Sequence, residues 1–256
     1  MILGCAEFAV PGDRLEDKLR VLESREMWLE LVNDGIDEKR LKGILGVLPS
    51  FNTSIMSVQA YLQHDLRMLS AKDRDRKAAV RHVEETIKIA SKVGAQNVVA
   101  VVTYGEPTIN NPMEKCIDIF RRFGELGEKL DVTISIEALS KDRTTFLPSM
   151  PEVYGLVRDV GSDHVRLMAD TMHIFNNGED VAETIGKHAS EIMEIQLRDT
   201  DSRPPGKGNI DFAPVSKVIW ENFNGLTCLE YHPGLNPRAD FDSALEFVAK
   251  TIFAAR

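Results

Sequence analysis

Short apolar, β-branched runs alternate along this chain with longer segments whose apolar positions recur every three to four residues. The short runs predict strands at 2–8 (ILGCAEF), 27–32 (MWLELV), 43–48 (GILGVL), 97–102 (NVVAVV), 132–139 (VTISIEAL), 164–170 (HVRLMAD), 192–199 (IMEIQLRD) and 225–232 (GLTCLEYH). Between them lie amphipathic stretches. The clearest run over 75–94, closed by a glycine, and over 113–130. A further helix is predicted in DFDSALEFVAKTIFAA after the last strand. About eight strands separated by helices predict an α/β protein, a (β/α)8 TIM barrel that forms a single domain over 1–256. A doubly wound open sheet is the competing arrangement. It would place a glycine-rich phosphate turn early in the chain, and AEFAVPGD is not one.

The barrel directs attention to the C-terminal strand ends, where active sites of this fold sit. Glu137, Asp170, Gln196 and Glu230 end four successive strands, separated by 33, 26 and 34 residues, while an eighth of the 256-residue chain is 32. Each polar group therefore falls about one βα unit after the last. In VTISIEAL the residues Val132, Ile134 and Ile136 share one face and Glu137 lies on the other, and Gln196 alternates in the same way with Ile195 and Leu197. The apolar set faces the helices, so Glu137 and Gln196 are expected to face the barrel axis. The same parity places Arg166 and Glu194 deeper inside, where they are expected to pair. Any one acid at a strand end reads as a loop start or a helix cap; the joint spacing and parity favour convergence. Three converging carboxylates would repel one another, and a divalent cation would relieve this. Glu137, Asp170 and Glu230 with the Gln196 carbonyl make an all-oxygen set suited to Mn²⁺ or Mg²⁺, with Co²⁺ or Zn²⁺ as alternatives. His173, three residues after Asp170, is expected to reach substrate from the following loop.

Composition narrows the partners. The formal charge of −9 argues against a nucleic-acid backbone. No apolar run approaches the ~20 residues of a membrane span, and MILGCAEFAVPGD has no signal-peptide pattern. Cys5, Cys116 and Cys228 are scattered and unpaired in spacing, which fits a reducing, cytoplasmic setting. A homodimer or homotetramer is expected only on general frequency.

The segments ISIEAL, LMADTMHI, EIQLRDTDSRPPGKGNIDF and CLEYHP resemble the xylose isomerase-like TIM barrels of the sugar phosphate isomerase/epimerase type. The ordered set is Glu137, Asp170 with His173, Gln196, Arg203 before Pro205-Gly206-Lys207-Gly208, and Glu230. The resemblance is strongest from about residue 130 to 234. The usual strand-7 histidine is Gln196 here, as in members similar to hydroxypyruvate isomerase; this removes a nitrogen donor and disfavours Zn²⁺.

The resemblance implies a metal-dependent isomerase or epimerase acting on a small carbohydrate or hydroxy-keto substrate. Glu137 and Glu230 would exchange a carbon-bound proton through a metal-stabilised enediolate. His173 and Arg203 would hold substrate oxygens. Arg198 shares the inward parity of Gln196 and is expected either to bind a substrate anion or to pair with Asp199 or Asp201. Glu7, Glu30, Ser50 and Asn52 are weaker candidates for the pocket. The alternatives are a dehydratase of a cyclic polyol or keto substrate, a metal-free glycoside hydrolase, and a non-catalytic sugar-binding barrel. An apurinic-site endonuclease is disfavoured, since it needs many histidines and the chain has six.

Overall fold

The computed structural model describes residues 2–64 and 67–251. Eight parallel strands close into one barrel in chain order: β1 (Ile2–Ala6), β2 (Trp28–Val32), β3 (Ile55–Gln59), β4 (Asn97–Val101), β5 (Thr133–Glu137), β6 (Val165–Asp170), β7 (Ile192–Leu197) and β8 (Leu226–Leu229). β8 pairs with β1, so no sheet edge remains exposed. The helices are α1 (Leu15–Glu23), α2 (Glu38–Val47), α3 (Asp73–Val93), α4 (Pro112–Leu130), α5 (Met150–Val160), α6 (Thr171–Asn176), α7 (Val181–His188), α8 (Phe212–Asn222) and α9 (Pro237–Thr251). The TIM-barrel expectation therefore stands. The end of the helix expected after β8, beyond Thr251, lies outside the described residues.

One strand was misplaced. GILGVL is the end of α2 and the start of a 3-10 turn, and the third strand is IMSVQ at Ile55–Gln59. Asp37 caps α2 by accepting from the Arg40 amide, and Ile44 is the side chain that α2 buries fully. The apolar content of GILGVL is thus one helical face, and its length cannot distinguish that from a strand. α3 stops where expected, at Gly94, whose φ of 75° ends the helix in the left-handed conformation.

The main core lies between the barrel and its helices. Ile134 and Ile136 of β5, Leu167 and Ala169 of β6, and Ile195 and Leu197 of β7 pack outward into it. Inside the barrel the floor is apolar, built by Ala6, Met56, Leu226 and Cys228. Gly4 is required there, because a Cβ would lie 2.5 Å from the Met56 sulfur and 2.8 Å from the Trp28 carbonyl. Above this floor the interior turns polar, and register aligns the polar rows. Val101 sits opposite Glu137, Asp170 opposite Gln196, and Gln196 opposite Cys228.

Candidate functional site

The inward rows of the upper barrel bury Glu30, Asp170, Glu194 and Glu230, and Glu137 joins them with 11% of its side chain exposed. They form two tiers. In the lower tier Glu30 accepts from Ser57 Oγ (3.1 Å), Gln59 Nε2 (2.8 Å) and Gln196 Nε2 (2.9 Å). Glu194 accepts from Asn97 Nδ2 (2.9 Å). Burial raises the pKa of both carboxyls, and for Glu30 the neighbouring Glu194 adds to the shift. The expected Arg166–Glu194 pair does not form. Arg166 lies near the start of β6, and its guanidinium leaves the interior to bond the backbone carbonyls of Glu191 (3.2 Å) and Ser190. The Asn97 amide, not an arginine, is the partner of Glu194.

The upper tier is organised by Arg198. One nitrogen, Nη2, lies 2.6 Å from Asp170 Oδ2 and 3.6 Å from Glu137 Oε1; the other, Nη1, lies 2.6 Å from Glu230 Oε2. Its alternative partners do not apply. Asp201 pairs with Arg203, and Asp199 anchors the following loop by accepting from the amides of Thr200, Gly206 and Ile210. Arg198 is itself held from behind. Thr171 Oγ donates to its carbonyl at 2.7 Å and accepts from its amide at 3.0 Å. The close contacts to Asp170 and Glu230 are ion pairs without hydrogen-bond alignment, so Asp170 Oδ2, Glu230 Oε2 and Arg198 Nε each keep an unmet hydrogen-bonding capacity.

Asp170 has two roles. Its Oδ1 caps α6 by accepting from the amides of Met172 (2.8 Å) and His173 (3.0 Å), while Oδ2 faces Arg198. The cap brings His173 over the barrel with Nε2 3.5 Å from Glu137 Oε1. The Ser140 amide donates to His173 Nδ1 at 3.2 Å. This fixed donor assigns Nδ1 as the acceptor and places the ring hydrogen on Nε2. Burial lowers the His173 pKa to about 4, so the ring is neutral.

A cavity of about 440 Å³ opens above this tier and reaches Gln59, Glu137, His173, Gln196, Arg198 and Glu230. Burial, reinforced by Asp170, raises the Glu137 pKa to about 8. Burial raises that of Glu230 to about 7, with Arg198 opposing the shift. Both lie in the range where a carboxyl group can give and take a proton near neutral pH.

Six of the sequence-derived site residues, Glu137, Asp170, His173, Gln196, Arg198 and Glu230, converge here. Arg203 does not. Its side chain is 55% exposed and pairs with Asp201 at 3.0 Å, because left-handed turns at Asp201 and Ser202 swing the chain outward. Ser202 lines the cavity in its place, and Tyr104, Arg143 and His232 line it as well. Sequence reasoning missed Tyr104 and Arg143 because they follow strand ends in loops without a periodic signal. Of the weaker candidates, Glu30 lies in the lower tier and Glu7 is held by Arg40 at 3.2 Å. Ser50 and Asn52 precede β3 and so lie at the opposite end of the barrel.

The ligand atoms of Glu137, Asp170 and His173 lie within 4.8 Å of one another, a grouping of the kind that holds metal ions. Its chemistry disagrees with that use in two respects. The Asp170 oxygen is taken by a guanidinium, and the His173 nitrogen facing Glu137 carries the hydrogen instead of a lone pair. Gln196, the fourth expected ligand, gives its amide nitrogen to Glu30, a bond that does not engage the carbonyl oxygen expected to face the ion. With Arg198 in place, these residues do not fit a divalent ion.

Residues 22–251 match the model of the xylose isomerase-like TIM barrels. A D-psicose 3-epimerase of Enterocloster bolteae is 26% identical over 128 residues, covering 48% of this chain and 42% of that protein. The aligned stretches span less than two thirds of the length of the curated relatives matched, with an L-ribulose 3-epimerase of Mesorhizobium japonicum at 55%. Among solved structures, an L-ribulose 3-epimerase superposes with a TM-score of 0.86 at 18% identity, covering 100% of this chain and 96% of the other. The IOLI protein with a bound zinc atom superposes with a TM-score of 0.81 at 17% identity, covering 98% of each chain. These likenesses show the same fold, and the family match covers most of the chain: it belongs to the xylose isomerase-like TIM barrels.

Proposed function

We propose that this chain is an isomerase or epimerase of small keto-sugars, moving a proton at a carbon next to a carbonyl. The observation that carries the reading is the placement of Glu137 and Glu230 on the two terminal nitrogens of one guanidinium, at the floor of a cavity. One carboxylate removes the carbon-bound proton. The C–H electron pair becomes the C=C bond of an enediolate, and the carbonyl π pair moves onto oxygen. The other carboxyl group, protonated beforehand, returns a proton to the opposite face for epimerisation or to the neighbouring carbon for isomerisation. Arg198 supplies positive charge beside the developing oxyanion, in a site where burial strengthens it. The neutral His173, with its hydrogen on Nε2, donates to a substrate oxygen. Names of relatives support the class, since curated and structural matches include ketose 3-epimerases. Three buried free thiols support a reducing, cytoplasmic setting.

A second reading keeps Mn²⁺ or Mg²⁺ on Glu137, Asp170, Gln196 and Glu230. The 4.8 Å grouping of Glu137, Asp170 and His173 favours it, and it requires Arg198 to leave. Loss of a hydroxide from the same enediolate would make the protein a dehydratase. Chromatography of products from a panel of ketopentoses, ketohexoses, their phosphates and hydroxypyruvate tests the proposal. Appearance of a C3 epimer or an aldose supports it, an unsaturated product points to dehydration, and unchanged substrates throughout would reject both.

A further inference from the structure

A barrel that buries Glu137, Asp170 and Glu230 together needs a positive charge among them. Among the described residues, Arg198 is the cation in salt-bridge contact with these three acids. It is not a surface side chain that has fallen inward. Its side chain is 8% exposed and its backbone is clamped on both sides by the Thr171 hydroxyl. Its Nη2 lies between Asp170 and Glu137, the region that an ion bound by both carboxylates would need.

We propose that Arg198 is the fixed cation of this site, standing between Glu137, Asp170 and Glu230 in place of a divalent metal ion. One independent feature supports this. The His173 nitrogen that faces Glu137 carries its hydrogen, as the Ser140 amide on Nδ1 dictates, and so offers no lone pair inward. The donor set is thus arranged around a guanidinium. The catalytic half of this inference rests on the proton-transfer reading; the exclusion of metal does not.

The test is calorimetric titration of Mn²⁺ into the full chain, freed of metal by chelator, with metal content checked by plasma mass spectrometry. Arg198→Ala is titrated alongside. The wild type is expected to bind no Mn²⁺ at 1:1 stoichiometry, and Arg198→Ala to bind at least about 100-fold more tightly, since a buried positive charge at contact distance is removed. Wild-type uptake of about one Mn²⁺ per chain, abolished by Asp170→Asn, would overturn the proposal even if Arg198→Ala failed to fold. A wild type that stays metal-free yet exchanges no substrate proton would leave the fixed cation standing and reject the proton-transfer reading. A wild type that exchanges protons only when loaded with metal would do the reverse.

Discussion

Arg198 Nη2 stands 2.6 Å from Asp170 Oδ2, while the other oxygen of the same carboxylate caps α6 through the amides of Met172 and His173. One side chain thus fixes both the cation and the imidazole of the site. Asp170→Asn retains a competent cap but leaves Arg198 with one close partner fewer in a buried setting. The expected loss is roughly 3 kcal/mol of unfolding free energy. Urea denaturation measures it; the same change at the exposed Asp73 should cost less than about 1 kcal/mol.

The paired carboxyl groups set the pH dependence. Proton exchange needs one charged and one protonated partner, so the rate should be bell-shaped, falling below about 7 as Glu230 protonates and above about 8 as Glu137 loses its proton. Stability follows a different course. A carboxyl whose folded pKa is raised contributes its full stability below the unfolded value and loses it as pH rises through the folded value. His173, lowered to about 4, acts oppositely and loses stability as pH falls below the ordinary imidazole range. The melting temperature should therefore decline from pH 6.5 to 8.5, and Glu137→Gln should flatten that decline. A melting temperature that rises across this window in the wild type would contradict the assignment.

Thr171 touches Arg198 only through backbone atoms, so it acts as a positioning residue. Thr171→Val keeps the shape and removes two buried hydrogen bonds, at about 1–3 kcal/mol. Proton exchange should slow by at least about tenfold, with kcat falling more than KM rises. Steady-state kinetics separates the two; a pure KM effect would mean that Thr171 only shapes the pocket.

Arg143 and Arg203 should behave differently. Arg143 lines the cavity, so Arg143→Ala is expected to raise KM by roughly tenfold through a lost charged hydrogen bond of about 1.5 kcal/mol. Arg203 points outward onto Asp201, and Arg203→Ala should leave kcat/KM within about twofold. A large loss at Arg203 would show that the loop closes inward on substrate.

What was legible in the chain follows from which signals are periodic. Strand parity located Glu137 and Gln196 on the axis because outward positions must be apolar against helices. The spacing of about one βα unit brought Asp170 and Glu230 to the same level. The same parity could not say that Arg166 would leave the barrel, since a long side chain near the start of a strand reaches backbone acceptors outside. It identified Arg198 as inward but could not choose its partner, because Asp199 and Asp201 are close in sequence and Asp170 and Glu230 are close only in space. The outward course of Arg203 has a backbone reason that parity does not carry: the left-handed residues Asp201 and Ser202 have no strong sequence mark. GILGVL was misread as a strand because a short apolar run fits either period.

Wash-in of solvent deuterium tests Glu137 and Glu230 as the proton-transfer pair most directly. A responsive ketose is incubated in deuterated water with the wild type, Glu137→Gln and Glu230→Gln, and read by NMR and mass spectrometry. The wild type should incorporate one deuteron at the carbon beside the carbonyl, and each variant should lose turnover by about 10²–10⁴-fold. Undiminished incorporation in both variants, or none in the wild type with any ketose, would contradict the assignment of Glu137 and Glu230 as the proton-transfer pair.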